Sequence, residues 1–221
     1  MRYEILIGPD WYWNSNSRVE FEISRTLKID LDRSLQEEDG IKILLKGCEH
    51  LTLAPGKGIK NILSEVDKEG FPRLKHLYVQ NSVEIQYIID SICVAFPVLE
   101  LLSLVNMINL ENICHNQLAM GSFHNLRKLE IRKCDNLVFV FSSTLLRCFS
   151  QLQEIEIEDC KVMSAIVVEE RKPGIQVNDD IITDTIDFPQ LRSLNLKRLP
   201  NLMGFCSNVD SQPLFNKKVL L

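Results

Sequence analysis

The sequence predicts an α/β solenoid with a parallel sheet along one face, and three observations carry that prediction. Phe71, Phe96, Phe123, Phe149 and Phe188 recur at intervals of 25, 27, 26 and 39 residues. Each opens the same frame of apolar positions, so that Leu126, Leu129, Ile131, Cys134, Leu137 and Val140 become Leu152, Ile155, Ile157, Cys160, Met163 and Ile166 one unit later. Within every frame an L-x-L pair alternates with polar residues, as a strand with one buried face does. A period of about 20–29 residues built on L-x-x-L-x-L is that of a leucine-rich repeat. The expected form is a partial horseshoe, its parallel sheet concave and its convex side made of short helices, turns or loops.

Taken in chain order, residues 1–44 are divergent, with Ile5 and Ile7, then Ile29 and Leu31, as two short L-x-L strands. Repeats are expected at 45–70, 71–95, 96–122, 123–148, 149–187 and 188–213. The first is degenerate, running through Leu45, Cys48, Leu51, Leu53, Gly56, Ile59 and Ile62. The frame then passes through Leu74, Leu77, Val79, Ser82, Ile85 and Ile88, and through Leu99, Leu102, Leu104, Met107, Leu110 and Ile113. Ser82 is its polar exception. The last unit reads Leu191, Leu194, Leu196, Leu199, Leu202 and Phe205. An acidic insertion at 169–187 lengthens the unit before it, with Glu169, Glu170, Asp179, Asp180, Asp184 and Asp187 against Arg171 and Lys172. It reads as a solvated connector. Return segments such as Leu137 to Phe149 and Ile108 to Met120 have mixed apolar spacing, which suggests short helices or turns. The recurring Phe residues should stack into a spine.

Composition sets bounds on function. The 221 residues are 45% hydrophobic and 25% charged, with a formal net charge of -5, enough apolar material for a folded unit and no basic surface for nucleic acid or anionic lipid. Seven cysteines, none in a CxxC pair, with no N-glycosylation acceptor, point to a reducing, cytoplasmic setting. No apolar run approaches the roughly 20 residues that span a bilayer, and the N-terminus lacks a signal-peptide pattern.

If L-x-L marks the buried face, the intervening side chains form a ribbon open to solvent. Its members are Thr52, Tyr78, Gln80, Ser103, Val105, Glu130, Arg132, Glu156, Glu158, Asn195 and Lys197, the candidate partner-binding residues. Charge on this ribbon changes sign from unit to unit, and in a parallel frame Arg132, Glu158 and Lys197 fall side by side. An ion ladder between strands accounts for this more simply than a binding site does. Cys134 and Cys160 share one slot and should stack in the interior as small hydrophobes. His50, His76, His115 and His124 share no ligand spacing with the cysteines, so no metal is expected. Gly56–Gly58 lacks the phosphate-loop pattern and no Gly-x-Ser-x-Gly elbow occurs, leaving no catalytic residues and no enzyme.

Several strings resemble the leucine-rich-repeat region of plant intracellular immune receptors of the coiled-coil, nucleotide-binding type. They are RYEILIG at Arg2–Gly8, SRTLKIDL at Ser24–Leu31, GIKILLKGCEHLTL at Gly40–Leu53, GFPRLKHLYVQNSVEIQYII at Gly70–Ile89, FPVLELLSL at Phe96–Leu104, NLENICHNQL at Asn109–Leu118 and LQEIEIEDCKVM at Leu152–Met163. The resemblance implies a disease resistance protein whose repeats detect a pathogen effector, directly or through a guarded host protein. It also implies that the repeats restrain a nucleotide-binding domain. That domain and the coiled coil would lie upstream, so ATP or ADP belongs there and no cofactor is expected in this chain.

Both ends read as cut, since Ile5–Ile7 opens as a strand without a polar cap and Val219–Leu221 stops on apolar residues. A fragment, a truncated gene product or a poorly soluble chain is expected. The period and the Cys slot also fit a substrate-recruiting subunit of a ubiquitin ligase, although the F-box usual in that class is not present.

Overall fold

Short alternating segments that recur at one period pair with their neighbours in sequence, because no unit can bury its apolar edge alone. The computed structural model describes residues 3–8, 25–31, 35, 38–62, 71–89, 94–114, 118–169 and 188–208. Its strands are β1 (Tyr3–Ile7), β2 (Arg25–Leu31), β3 (His50–Pro55), β4 (His76–Gln80), β5 (Tyr87–Ile89), β6 (Leu101–Val105) and β7 (Asn112–Cys114). They continue with β8 (Lys128–Arg132), β9 (Phe141–Ser142), β10 (Glu154–Glu158), β11 (Ala165–Glu169), β12 (Ser193–Lys197) and β13 (Gly204–Asn208). Among the described residues a helix, α1 (Asp39–Gly47), precedes β3, and a 3-10 turn covers Ser143–Phe149.

Eight strands form one sheet in the order β1-β2-β3-β4-β6-β8-β10-β12, every pair parallel. The register follows the repeat: Leu77 pairs with Leu102, Leu102 with Leu129, Leu129 with Ile155 and Ile155 with Leu194. In the N-terminal part the frame differs from the sequence expectation by two residues. Leu27 and Ile29, rather than Ile29 and Leu31, stand opposite Leu51 and Leu53, with Ile5 and Ile7 beyond them. RTLKIDL alternates over seven residues, so alternation alone permits either frame, and the pairing with β3 decides it.

In the four units from Leu74 to Ile166 every frame position is buried, and Ser82 is among them with no exposure. Its hydroxyl accepts hydrogen bonds from the Glu84 and Ile85 amides at 3.3 and 3.2 Å. Other units close the corresponding turn through a carbonyl, as Leu110 does on Met107 and Leu137 on Cys134. The polar exception is thus a turn that a side chain closes. A second turn follows each Phe, the amide three residues on donating to its carbonyl, from Leu74 on Phe71 to Leu191 on Phe188.

Phe71, Phe96, Phe123 and Phe149 stack with centroids 5.3–5.4 Å apart and interplanar angles of 15–23°. The stack does not pass directly to Phe188. Phe141 stands between, 4.8 Å from Phe149 and 5.5 Å from Phe188, both at steep angles.

The return side holds the expected turns and a short helix, at Ser143–Phe149, and adds elements that were not expected. Short parallel strands appear there, β5 with β7 and β9 with β11 and β13. Their amides bond to the neighbouring unit instead of within a helix, as Gln86 does to Lys60, Glu111 to Gln86 and Val140 to Ile166. A period near 26 residues leaves little chain for a three-turn helix once strand and turns are placed. The acidic insertion lies, beyond Glu169, outside the described residues.

Candidate recognition face

Alternation along the strands fixes which side chains face away from the core, and the parallel register arranges them in rows. One row runs Lys28, Thr52, Tyr78, Ser103, Glu130, Glu156 and Asn195. Another runs Gln80, Val105, Arg132, Glu158 and Lys197. All eleven candidate residues therefore lie on one face of one sheet. A third row holds Thr26, His50, His76, Leu101, Lys128, Glu154 and Ser193. The candidate set leaves this row out because it takes outward positions only between and after each L-x-L pair. The signal was present one step earlier, where the alternation begins.

The face divides by charge. On β8 and β10 all six outward positions are charged, and they pair among themselves. Lys128 reaches Glu130 at 2.8 Å and Glu154 at 3.7 Å, and Arg132 reaches Glu156 at 3.2 Å and Glu158 at 3.7 Å. The Glu130 carboxylate, accepting a hydrogen bond, raises the Lys128 pKa. The expected ladder is thus present at Arg132 and Glu158. Its third rung differs, because Lys197 lies opposite Glu158 yet the Glu158 carboxylate meets the guanidinium of Arg198. Arg198 also takes Asp159 in a forked pair, which no lysine ammonium can match. Asp159 is held below the usual carboxylate range by that hydrogen-bonded partner. An open depression lined by Asp159, Lys161, Arg198, Leu199 and Pro200 lies beside this cluster.

On β3, β4 and β6 no outward residue carries a formal charge at neutral pH. His50 and His76 meet edge to face, ring centroids 4.5 Å apart. Burial, followed by the neighbouring His76 and Lys75, lowers the His50 pKa to about 4, and burial likewise lowers that of His76. Ser103, only 3% exposed, sits between Tyr78 and Glu130 in the register. The Tyr78 hydroxyl has its pKa raised first by burial and then by Glu130, with Lys128 opposing.

Elsewhere the residues behave as structural parts. Cys134 and Cys160 are buried in the same slot, and the Cys134 pKa is pushed up by its thiol neighbour Cys160 and by burial. The hydrogen bond between the two thiols lowers the Cys160 pKa in turn. Among the described residues no group of three or more His, Cys, Asp or Glu side chains is placed to hold a metal ion. No helix among them is long and apolar enough to cross a membrane.

A family model described as "Plant disease resistance protein RPS2-like, leucine-rich repeats" matches residues 97–220. The chain belongs to that family. No curated protein and no solved structure matches it. Within the family match lie β6 to β13, whereas β1 to β4 precede it and share its sheet, register and core. Leucine-rich repeats of plant disease resistance proteins are protein-interaction modules. The chain is accordingly a recognition scaffold in plant defence.

Proposed function

We propose that this chain is the effector-sensing and autoinhibitory leucine-rich-repeat part of a cytoplasmic plant disease resistance protein. Its partners are a pathogen effector or a guarded host protein, together with a nucleotide-binding domain encoded upstream. ATP or ADP binds that domain and not the repeats. The observation that carries the reading is the outward face of eight parallel strands in a chain of the disease resistance family. A long sheet face presents many side chains at fixed spacing, which suits recognition of a protein surface.

Affinity capture from challenged plant tissue tests this reading. The full chain is compared with a variant carrying Tyr78→Ala, Arg132→Ala and Glu156→Ala, after circular dichroism has established that both are folded. Loss from the variant of a partner held by the parent supports recognition through the sheet face. Equal recovery would move recognition to another surface. The coding region upstream supplies a separate check, because an F-box there in place of a nucleotide-binding domain would favour a ubiquitin-ligase subunit.

A further inference from the structure

Stable protein contacts have a centre depleted of charge and a polar, hydrated rim. The outward face of this sheet has that arrangement built in. At the centre, His76, Tyr78, Leu101 and Val105 stand beside the buried His50 on three consecutive strands whose own outward positions carry no formal charge, with Lys128 and Arg132 of β8 bordering them. Strands about 4.8 Å apart, with like-facing residues about 6.6–7 Å apart along each, make this a patch of a few hundred Å² at most. That is less than the roughly 800 Å² a stable contact covers on each partner. The remainder must come from adjoining strands.

We infer that the His76–Tyr78–Leu101 patch is the centre of the recognition contact and that it takes an uncharged aromatic or aliphatic segment of a protein partner, with the charged strands β8 and β10 as rim. The inference rests on the recognition reading above and narrows it. A partner charge set on the patch would lose water without gaining an opposite charge, which is costly. The ladder charges of β8 and β10 are engaged in ion pairs with one another, so each is partly compensated before a partner arrives. Tyr78 is the best placed anchor: half-buried, broad, and central in its row, with the small Ser103 beside it. Large aromatic side chains of this sort dominate the energetics of contacts.

The probe is a phage-displayed library of short random peptides, selected on the immobilised full chain and eluted by excess soluble chain. Enriched clones are then retested on three folded variants: Tyr78→Ser, Leu101→Glu, and the rim variant Arg132→Gln with Glu156→Gln. Enrichment of uncharged, aromatic or aliphatic peptides is expected. Their binding should fall at least tenfold on Tyr78→Ser and on Leu101→Glu and by less than threefold on the rim variant. Enrichment of acidic or basic peptides, or a larger loss on the rim variant than on Tyr78→Ser, overturns the inference while leaving recognition through the sheet face standing. Clones that bind all three variants equally, or no enrichment at all, count against the inference and against the sheet face as well.

Discussion

Phe123 shows how one residue joins two units. Its ring is fully buried and stacked on Phe96 at 5.4 Å and on Phe149 at 5.3 Å, so truncation opens a cavity between two repeats. Phe123→Ala should cost about 3–5 kcal/mol, read from chemical denaturation, and an unchanged midpoint would mean the spine carries no stability. Ser82 makes the reverse case, a polar atom that the core requires. Ser82→Ala removes the acceptor for two backbone amides, that of Ile85 buried, and should cost about 1–3 kcal/mol. A neutral outcome would show that the Ile85 amide has another acceptor. His50 links stability to pH. Its folded pKa of about 4 lies below the ordinary 6.5, so below pH 6.5 the unfolded chain takes up a proton that the folded chain refuses. Stability from this source is complete above pH 6.5 and is lost as the pH falls through 4. Melting temperatures of the parent and of His50→Gln, compared between pH 7 and pH 4, should converge toward the acid end; parallel curves would place the His50 titration elsewhere.

Elements test the ion ladder that the register creates. Glu158 lies between Arg132 on the preceding strand and Arg198 after the following one, with its side chain 19% exposed. Glu158→Gln should lower stability by about 0.2–1 kcal/mol in low salt, with the difference shrinking as salt is added. A loss several times larger that salt does not alter would mean a buried pair instead of a surface one. That ladder was legible from Arg132, Glu158 and Lys197 because a parallel sheet with a constant period fixes lateral neighbours. Choosing Arg198 over Lys197 was not legible, since it depends on where the chain turns after β12. That turn places Arg198 at φ 51°, as it places Asn81, Asn106, Lys133 and Asp159 at 55–59° in the other units. Asn and Asp adopt this left-handed backbone readily and mark the slot in three units, while Lys and Arg obscure it in two. The core was legible wherever the frame has neighbours on both sides. The return strands were not, because short apolar pieces such as Tyr87–Ile89 have no period of their own and become strands only by pairing. His50 and His76 were visible as residues yet invisible as a pair until the register set them side by side.

Across the whole molecule stability is a sum of units and of the interfaces between neighbours, so it must decline toward any unit with one neighbour fewer. The signs are already present in burial. Leu102, Leu129 and Ile155 are sealed, whereas the equivalent Leu194 of β12 is only partly buried, as are Leu196, Leu199, Leu202 and Phe205 of the same unit. At the other end Ile5 and Ile7 of β1 are likewise partly buried, while Leu27 and Ile29 beside them are sealed. Among the described strands β1 and β12 each pair on one side only. Opening of an end unit gives up one interface, but opening of a central unit gives up two. Native-state amide exchange should therefore be slowest in β4, β6 and β8 and at least roughly tenfold faster in β1 and β12, under conditions where exchange reports opening equilibria. Denaturant added below the unfolding midpoint should level the ends first and the centre last. Equal protection across all eight strands would mean that the sheet opens as one cooperative body, and that the nearest-neighbour account of its stability is wrong.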